Sequence, residues 1–173
     1  MNKIVLAGAA LLALAGCGRK APPADLAPPG NSTGADSGPV TTTNGTGQAP
    51  TPGSQGDFVS SITSDKIYFD TDSSEVDSGE DRATLQSQAA WLARYPRVRV
   101  TIEGHADERG TREYNIALGE RRANATKNAL AALGVAPERM STISYGKERP
   151  DELGSDEASW ARNRRAVSVT VQP

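Results

Sequence analysis

Apolar residues follow three different patterns along this chain. After Met1-Asn2-Lys3, residues Ile4 to Ala15 form an unbroken run of apolar and small side chains. From Gly18 to about Asp57 no apolar period exists, and no aromatic residue occurs before Phe58. Beyond Phe58 the apolar positions become periodic. Ile67 and Phe69 alternate with Lys66, Tyr68 and Asp70, as in a short strand. Asp77 and Glu80 form a capping-box pattern ahead of a helix striped by Leu85, Ala89 and Leu92, which Tyr95-Pro96 ends. Val98, Val100 and Ile102 alternate with Arg97, Arg99, Thr101 and Glu103 in a half-buried strand. A second helix runs to Leu133, with Gly134 as its C-terminal cap. Ile143 and Tyr145 mark a third strand ending at Gly146. A last strand alternates Val167, Val169 and Val171 with Ala166, Ser168 and Thr170. The order is β-α-β-α-β-β. Each strand has one polar face, so two helices are expected to cover one side of a mixed sheet.

The first pattern reads as an export signal. Its apolar run is shorter than the roughly 20 residues a membrane-spanning helix needs, and its basic lead suits a secretory signal peptide. It ends at Cys17, the chain's one cysteine, so no intramolecular disulfide is possible. Leu14-Ala15-Gly16-Cys17 resembles the lipobox of bacterial lipoproteins. That resemblance implies cleavage before Cys17, a lipid on its thiol and acylation of the new amino terminus. Several acyl chains anchor stably where one does not. Gly18 rather than Asp follows the cysteine, which in the sorting scheme of didermal bacteria implies delivery to the outer membrane.

The second pattern reads as a tether. Seven of the chain's eleven prolines fall between residues 18 and 57, among Gly, Ser and Thr. Such a composition buries too little apolar area to offset its ordering entropy. About 40 residues of this kind span roughly 35 Å on average and about 130–140 Å when taut. The expected organisation is a signal peptide over 1–16, a lipidated Cys17 with a disordered tether over 17–57, and one domain over 58–173.

Composition excludes one partner class. The net charge is −2 and hydrophobic residues make up 36%. There is no broad basic field of the kind nucleic acid requires. His105 is the only histidine and Cys17 the only cysteine, so the domain has no zinc-type ligand set, although carboxylate-only metal sites stay open. No cofactor is called for. His105 is expected to pin its loop by hydrogen bonds.

One charge sits where it should not. On the second helix Leu118, Ala125, Ala129 and Leu133 cluster on one side, Glu120, Asn124, Lys127 and Asn128 on the other, and Arg122 falls within the apolar side. A charge there costs several kcal/mol (about 3–5) if unpaired. Either it makes an internal salt bridge to Asp70, Asp107 or Glu103, or its planar fork waits for a ligand carboxylate. A ligand shared with Asp107 requires 107–114 to be mostly loop, because a helix starting at Arg112 would place Arg122 about 15 Å along its axis.

Several segments carry a resemblance. Tyr68-Phe69-Asp70, Glu103 to Gly110, Tyr114-Asn115, Leu118 to Asn124, Ser144 to Lys147 and Asn163-Arg164-Arg165 resemble the OmpA-like peptidoglycan-binding domain over about 66 to 171. The lipobox, tether and domain order resemble the lipid-anchored members of that family. The resemblance implies a two-layer α/β sandwich. It implies a ligand, the stem peptide of peptidoglycan, held through meso-diaminopimelate. Asp107 would meet the ligand ammonium and Arg122 its carboxylate. Phe69 and Asp70 would line the cleft, with Asn115 and Leu118 forming one wall. Ala106 and Gly119 depart from the commoner Thr and Ser of the family. The resemblance further implies an outer-membrane lipoprotein facing the periplasm, partnered by TolB and the Tol system at cell division.

The expected protein is therefore a non-enzymatic wall tether. The rival is a wall-remodelling hydrolase using Asp70 and Asp107 as an acid/base pair, against which a nearby Arg122 would depress carboxylate pKa values. Arg162, Arg164 and Arg165 read as a solvated strand start or a contact to partner or wall. Trp160 and Tyr114 read as exposed or as core aromatics.

Overall fold

A computed structural model describes residues 49–172. The signal peptide, Cys17 and most of the expected tether lie outside the described residues. The elements in order are α1 (Gln55–Ser61), β1 (Lys66–Tyr68), α2 (Gly79–Arg94), β2 (Arg99–His105), α3 (Arg112–Ala132), a 3-10 turn (Pro137–Arg139), β3 (Met140–Gly146), α4 (Glu157–Asn163) and β4 (Arg165–Val171). The expected β-α-β-α-β-β frame is present, with two short helices added. The strands form one mixed sheet in the order β1-β4-β2-β3. β4 runs antiparallel to both β1 and β2, and β2 runs parallel to β3.

The core lies between this sheet and the helices. Ile67, Val100, Ile102 and Ala166 from the sheet pack with Leu85, Ala89, Trp91 and Leu92 of α2 and Ala123 and Leu130 of α3. The stripe of α2 is thus the one its spacing predicts. Its cap is one residue later than expected. Ser78 accepts from Asp81 N and donates back to the Asp81 carboxylate. The cap hydroxyl thus satisfies one free amide of the helix start, while the Asp81 carboxylate takes that hydroxyl and, through Oδ1, the amide of Tyr68 on β1.

β4 inverts a simple expectation. Its alternation is present, yet the buried set is Ala166, Ser168 and Thr170, while Val167 and Val169 are half-buried and Val171 is exposed. Dedicated partners explain this. Ser168 Oγ donates to Gln88 Oε1 at 2.8 Å, and Gln88 Nε2 donates to Ser64 O at 2.8 Å. Thr170 donates from both N and Oγ1 to Gln55 Oε1, at 2.7 and 2.8 Å. A buried polar group with its hydrogen bonds made carries no desolvation penalty large enough to expel it. Gln55 belongs to α1, whose first residues composition assigned to the tether. Ser54 caps that helix, and Phe58, fully buried, meets Trp91 edge-on at 4.9 Å. Residues 55–57 are therefore part of the fold.

α3 lies against the sheet backbone to backbone. A Cβ on Gly104 of β2 would stand 1.8 Å from the carbonyl oxygen of Gly119 on α3, and one on Gly119 would meet Ser144 Oγ at 2.3 Å and Gly104 O at 2.8 Å. Two facing glycines set the depth of the helix, and with it the depth of every side chain that α3 presents to the sheet. Gly104→Ala is expected to lower stability by about 3 kcal/mol or more, because the obstruction is backbone and not a rotatable side chain. Urea unfolding of the variant beside wild type measures it, and a loss under 1 kcal/mol would contradict so close a contact.

Candidate functional site

The loops at the C-terminal ends of β1 and β2 meet over the first half of α3. Arg122 is their common point. It is 0% exposed. Its Nε donates to Ser73 O at 2.8 Å, Nη1 to His105 O at 2.8 Å and Nη2 to Asp70 O at 3.1 Å. The Phe69 ring lies 5.3 Å from its guanidinium carbon. None of the expected salt bridges, to Asp70, Asp107 or Glu103, forms among the described residues. Three backbone carbonyls hold the cation in their place. Burial pushes the Arg122 pKa down to about 10 while Asp107 at longer range pulls it up, so the group stays charged at neutral pH.

The helix begins earlier than the shared-ligand geometry required. Thr111 caps it by accepting from Tyr114 N, and Gly110, at φ +86°, turns the chain just before. Only 106–111 is loop. Arg122 nonetheless reaches the loops, because helical side chains lean toward the helix N-terminus and arginine is long. Its Nη1 meets the carbonyl two residues upstream of Asp107.

Asp107 is 8% exposed and held by a different arginine. Arg109 donates Nε to Oδ1 at 3.0 Å and Nη2 to Oδ2 at 2.7 Å, and its backbone N reaches Oδ1 at 3.1 Å. Arg164 Nη1 stands 3.6 Å from Oδ2. Burial raises the Asp107 pKa, but the Arg109 hydrogen bonds and the charges of Arg109 and Arg164 outweigh it, and the net shift is downward. Asn115, buried, donates Nδ2 to Arg109 O at 2.8 Å. Leu118 is buried on the same helix one turn before Arg122. Asp70 is exposed, its carbonyl spent on Arg122. A groove of about 700 Å³ opens beside Phe69 and Asp70, between Tyr68, the start of α2 at Ser78 and Asp81, and Arg162 and Arg164. Asp107, Asn115, Leu118 and Arg122 do not line it.

Known proteins resemble this chain in sequence and in fold. The sequence model of the OmpA family matches residues 68–164, from the end of β1 to the residue before β4. The chain belongs to the OmpA family. It is 49% identical over 97% of its length to the peptidoglycan-associated lipoprotein of Rhizobium meliloti (strain 1021), covering 87% of that protein. It is 51% identical, with the same coverages, to that of Agrobacterium fabrum. The crystal structure of the peptidoglycan-associated lipoprotein from Burkholderia pseudomallei superposes with a TM-score of 0.62 at 45% identity, covering 66% of this chain and all of that one. The C-terminal domain of Helicobacter pylori MotB, at 21% identity and a TM-score of 0.57 over 63% of this chain and 85% of its own, shares the fold.

Within this OmpA-family frame, the structure corrects several readings of single residues. The buried face of α3 is Asn115, Leu118, Gly119, Arg122, Ala123, Thr126 and Leu130, whereas Ala125 and Ala129 are only partly buried and Leu133 is exposed. The basic cluster is not a solvated strand start. Arg162 is exposed, but Arg164 and Arg165 are 6% exposed each. Arg109 and Arg164 are the residues that periodicity missed; Arg109 was signalled by its place two residues after Asp107, whereas nothing in the sequence brought Arg164 of the Asn163-Arg164-Arg165 motif to Asp107. Trp160 is partly buried, donates Nε1 to Glu108 at 3.1 Å and carries Arg109 4.3 Å above its ring. Tyr114 is exposed, with its hydroxyl 3.3 Å from Asp72.

His105 pins the loop differently than expected. Its carbonyl takes the Arg122 bond, whereas both ring nitrogens are buried without a hydrogen-bond partner among the described residues and the ring lies 5.6 Å from that of Tyr145. Burial first, and then the charge of Arg165, pushes its pKa from 6.5 down to about 4. The unfolded chain therefore binds this proton more readily than the folded one, and stability rises with pH across that window. Between pH 7 and pH 4, His105 is expected to remove about 3 kcal/mol of stability. Urea unfolding at both pH values tests this. His105→Gln should lose correspondingly less than wild type, and equal losses would rule out a neutral buried histidine.

Proposed function

We propose that this protein binds the stem peptide of peptidoglycan non-covalently, through the zwitterionic end of meso-diaminopimelate, and so ties the outer membrane to the wall. The observation that carries this reading is the pairing of a fully buried guanidinium, held only by neutral carbonyls, with a nearby carboxylate. Charge-assisted hydrogen bonds to a ligand carboxylate are stronger than those to amide carbonyls. A ligand carboxylate thus displaces the Asp70 and Ser73 carbonyls from Arg122, and the 70–73 segment withdraws to admit it. The ligand ammonium is taken by Asp107, whose depressed pKa keeps it anionic. Phe69 and Asp70 line the approach, and Asn115 and Leu118 hold the helix wall. The relatives' name, peptidoglycan-associated lipoprotein, supports the same ligand class.

The rest of the reading follows from sequence. Cys17 carries the lipid in the outer membrane, the tether crosses the gap and the domain faces the periplasm. Partnership with TolB and the Tol system in envelope integrity and division rests on family resemblance. The hydrolase alternative is disfavoured by chemistry. A general acid needs a raised pKa, and two arginines hold that of Asp107 down.

Sedimentation of the full-length chain with isolated wall sacculi tests the proposal. Wild type should co-sediment, and Arg122→Ala should lose at least ten-fold in affinity while remaining folded by circular dichroism. Equal sedimentation of the two would remove Arg122 from the binding role. Release of soluble wall fragments by wild type would instead establish the hydrolase.

A further inference from the structure

Arg164 sits between the two loops that carry the candidate ligand groups. Its backbone is fixed before its side chain acts. Its N donates to Trp160 O at 3.0 Å as the cap of α4, and its carbonyl accepts from Phe69 N at 2.9 Å. The side chain then returns to the same segment, with Nε donating to Phe69 O at 3.0 Å. Nη2 donates to Glu157 Oε1 at 2.8 Å. Nη1 is buried, has no hydrogen-bond partner among the described residues and stands 3.6 Å from Asp107 Oδ2. One rigid fork therefore touches the end of β1, the loop after β2 and α4 at once.

We propose that Arg164 is a positioning residue of the ligand site, fixing the Asp107 carboxylate relative to the Phe69–Asp70 backbone. The inference rests on the binding role proposed above. A guanidinium suits this task where an ammonium does not, because its donors diverge in a fixed plane: two bond acceptors from two segments while the third faces the Asp107 carboxylate of another. The distance to Asp107 is too long for a hydrogen bond and short enough for a strong charge interaction. Asp107 thereby keeps one lone pair on Oδ2 that no donor occupies, beside a cation that holds the group ionised. A ligand ammonium meets a carboxylate already anionic and already aimed. Arg164 also adds positive charge near Arg122, and this favours an incoming carboxylate.

The test compares full-length wild type, Arg164→Met, Arg164→Lys and Glu157→Ala. Two quantities are read: affinity for sacculi, and the titration of the Asp107 carboxyl followed by carbon-13 NMR. Arg164→Met should bind at least ten-fold more weakly, and the Asp107 titration should move to higher pH. Arg164→Lys should restore much of the titration and little of the affinity, because one ammonium cannot bridge three segments. Glu157→Ala, at an exposed acceptor, should keep the fold and weaken binding two- to five-fold by freeing Nη2. It decides the matter together with Arg164→Lys if Arg164→Met fails to fold. Wild-type affinity and an unmoved Asp107 titration in the folded Arg164 variants would overturn the inference. Lowered thermal stability with an unmoved titration would reduce Arg164 to a structural clamp and overturn it equally. Failure of wild type itself to bind sacculi would instead overturn the binding role on which it rests.

Discussion

Arg122 is a cation buried in a small domain, with no carboxylate in salt-bridge contact among the described residues. Moving a guanidinium out of water costs several kcal/mol, on the order of what a single partner can return. Here three carbonyl dipoles converge on it, from Asp70 and Ser73 after β1 and from His105 at the end of β2. The bonds run from α3 to both loops. The guanidinium therefore organises the backbone of both loops from below. Its depth is set elsewhere, by the facing glycines 104 and 119 that let α3 descend onto β2. A bulkier pair would lift the helix and withdraw the fork from His105 O.

Around that cation the charges are arranged in layers. Asp107 is neutralised mainly by Arg109, from its own loop, and faces Arg164 from the other side of the site. Arg109 in turn rests on Trp160, and Trp160 is tied to Glu108. Each loop thus has its own cross-link to α4 or to the start of β4. The effect is a site whose buried acid, Asp107, cannot easily take a proton and whose histidine, His105, is buried and neutral. This arrangement is the one the proposed binding of a zwitterionic ligand calls for.

The elements with a strong period were legible from sequence. β2, with Val98, Val100 and Ile102 on one face, and α2, with Leu85, Ala89 and Leu92, bury what their spacing predicts. α3 and β4 were misread for one shared reason. Where helix and sheet approach too closely for large side chains, the buried positions are Gly119, Ala123, Asn115 and Thr126, or Ala166 and Ser168. Hydrophobicity does not mark such positions; small volume and a hydrogen-bond partner do. The site residues were legible as types, because Asp107 and Arg122 stand out from their surroundings. Their partners were not. Backbone carbonyls have no sequence signature, so the choice between a salt bridge and a ligand for Arg122 lacked the third answer that the structure supplies.

The direction in which the domain can be loaded also follows from the fold. The chain enters beside the start of β2, where Gly53 lies against Tyr95 and Val98 and its amide is held by Asp57. The site lies at the other end of β2, seven residues and about 23 Å away. β2 is an interior strand, bonded to β3 on one side and β4 on the other. A pull between entry point and site therefore runs nearly along the strand. Ladder hydrogen bonds lie across that direction and are strained together instead of opening one after another from an end. β2, which leads through His105 to Asp107, and its neighbour β4 are the two interior strands, and both run between these ends. Under the proposed function, the anchored end and the wall-bound end would lie at opposite ends of this line.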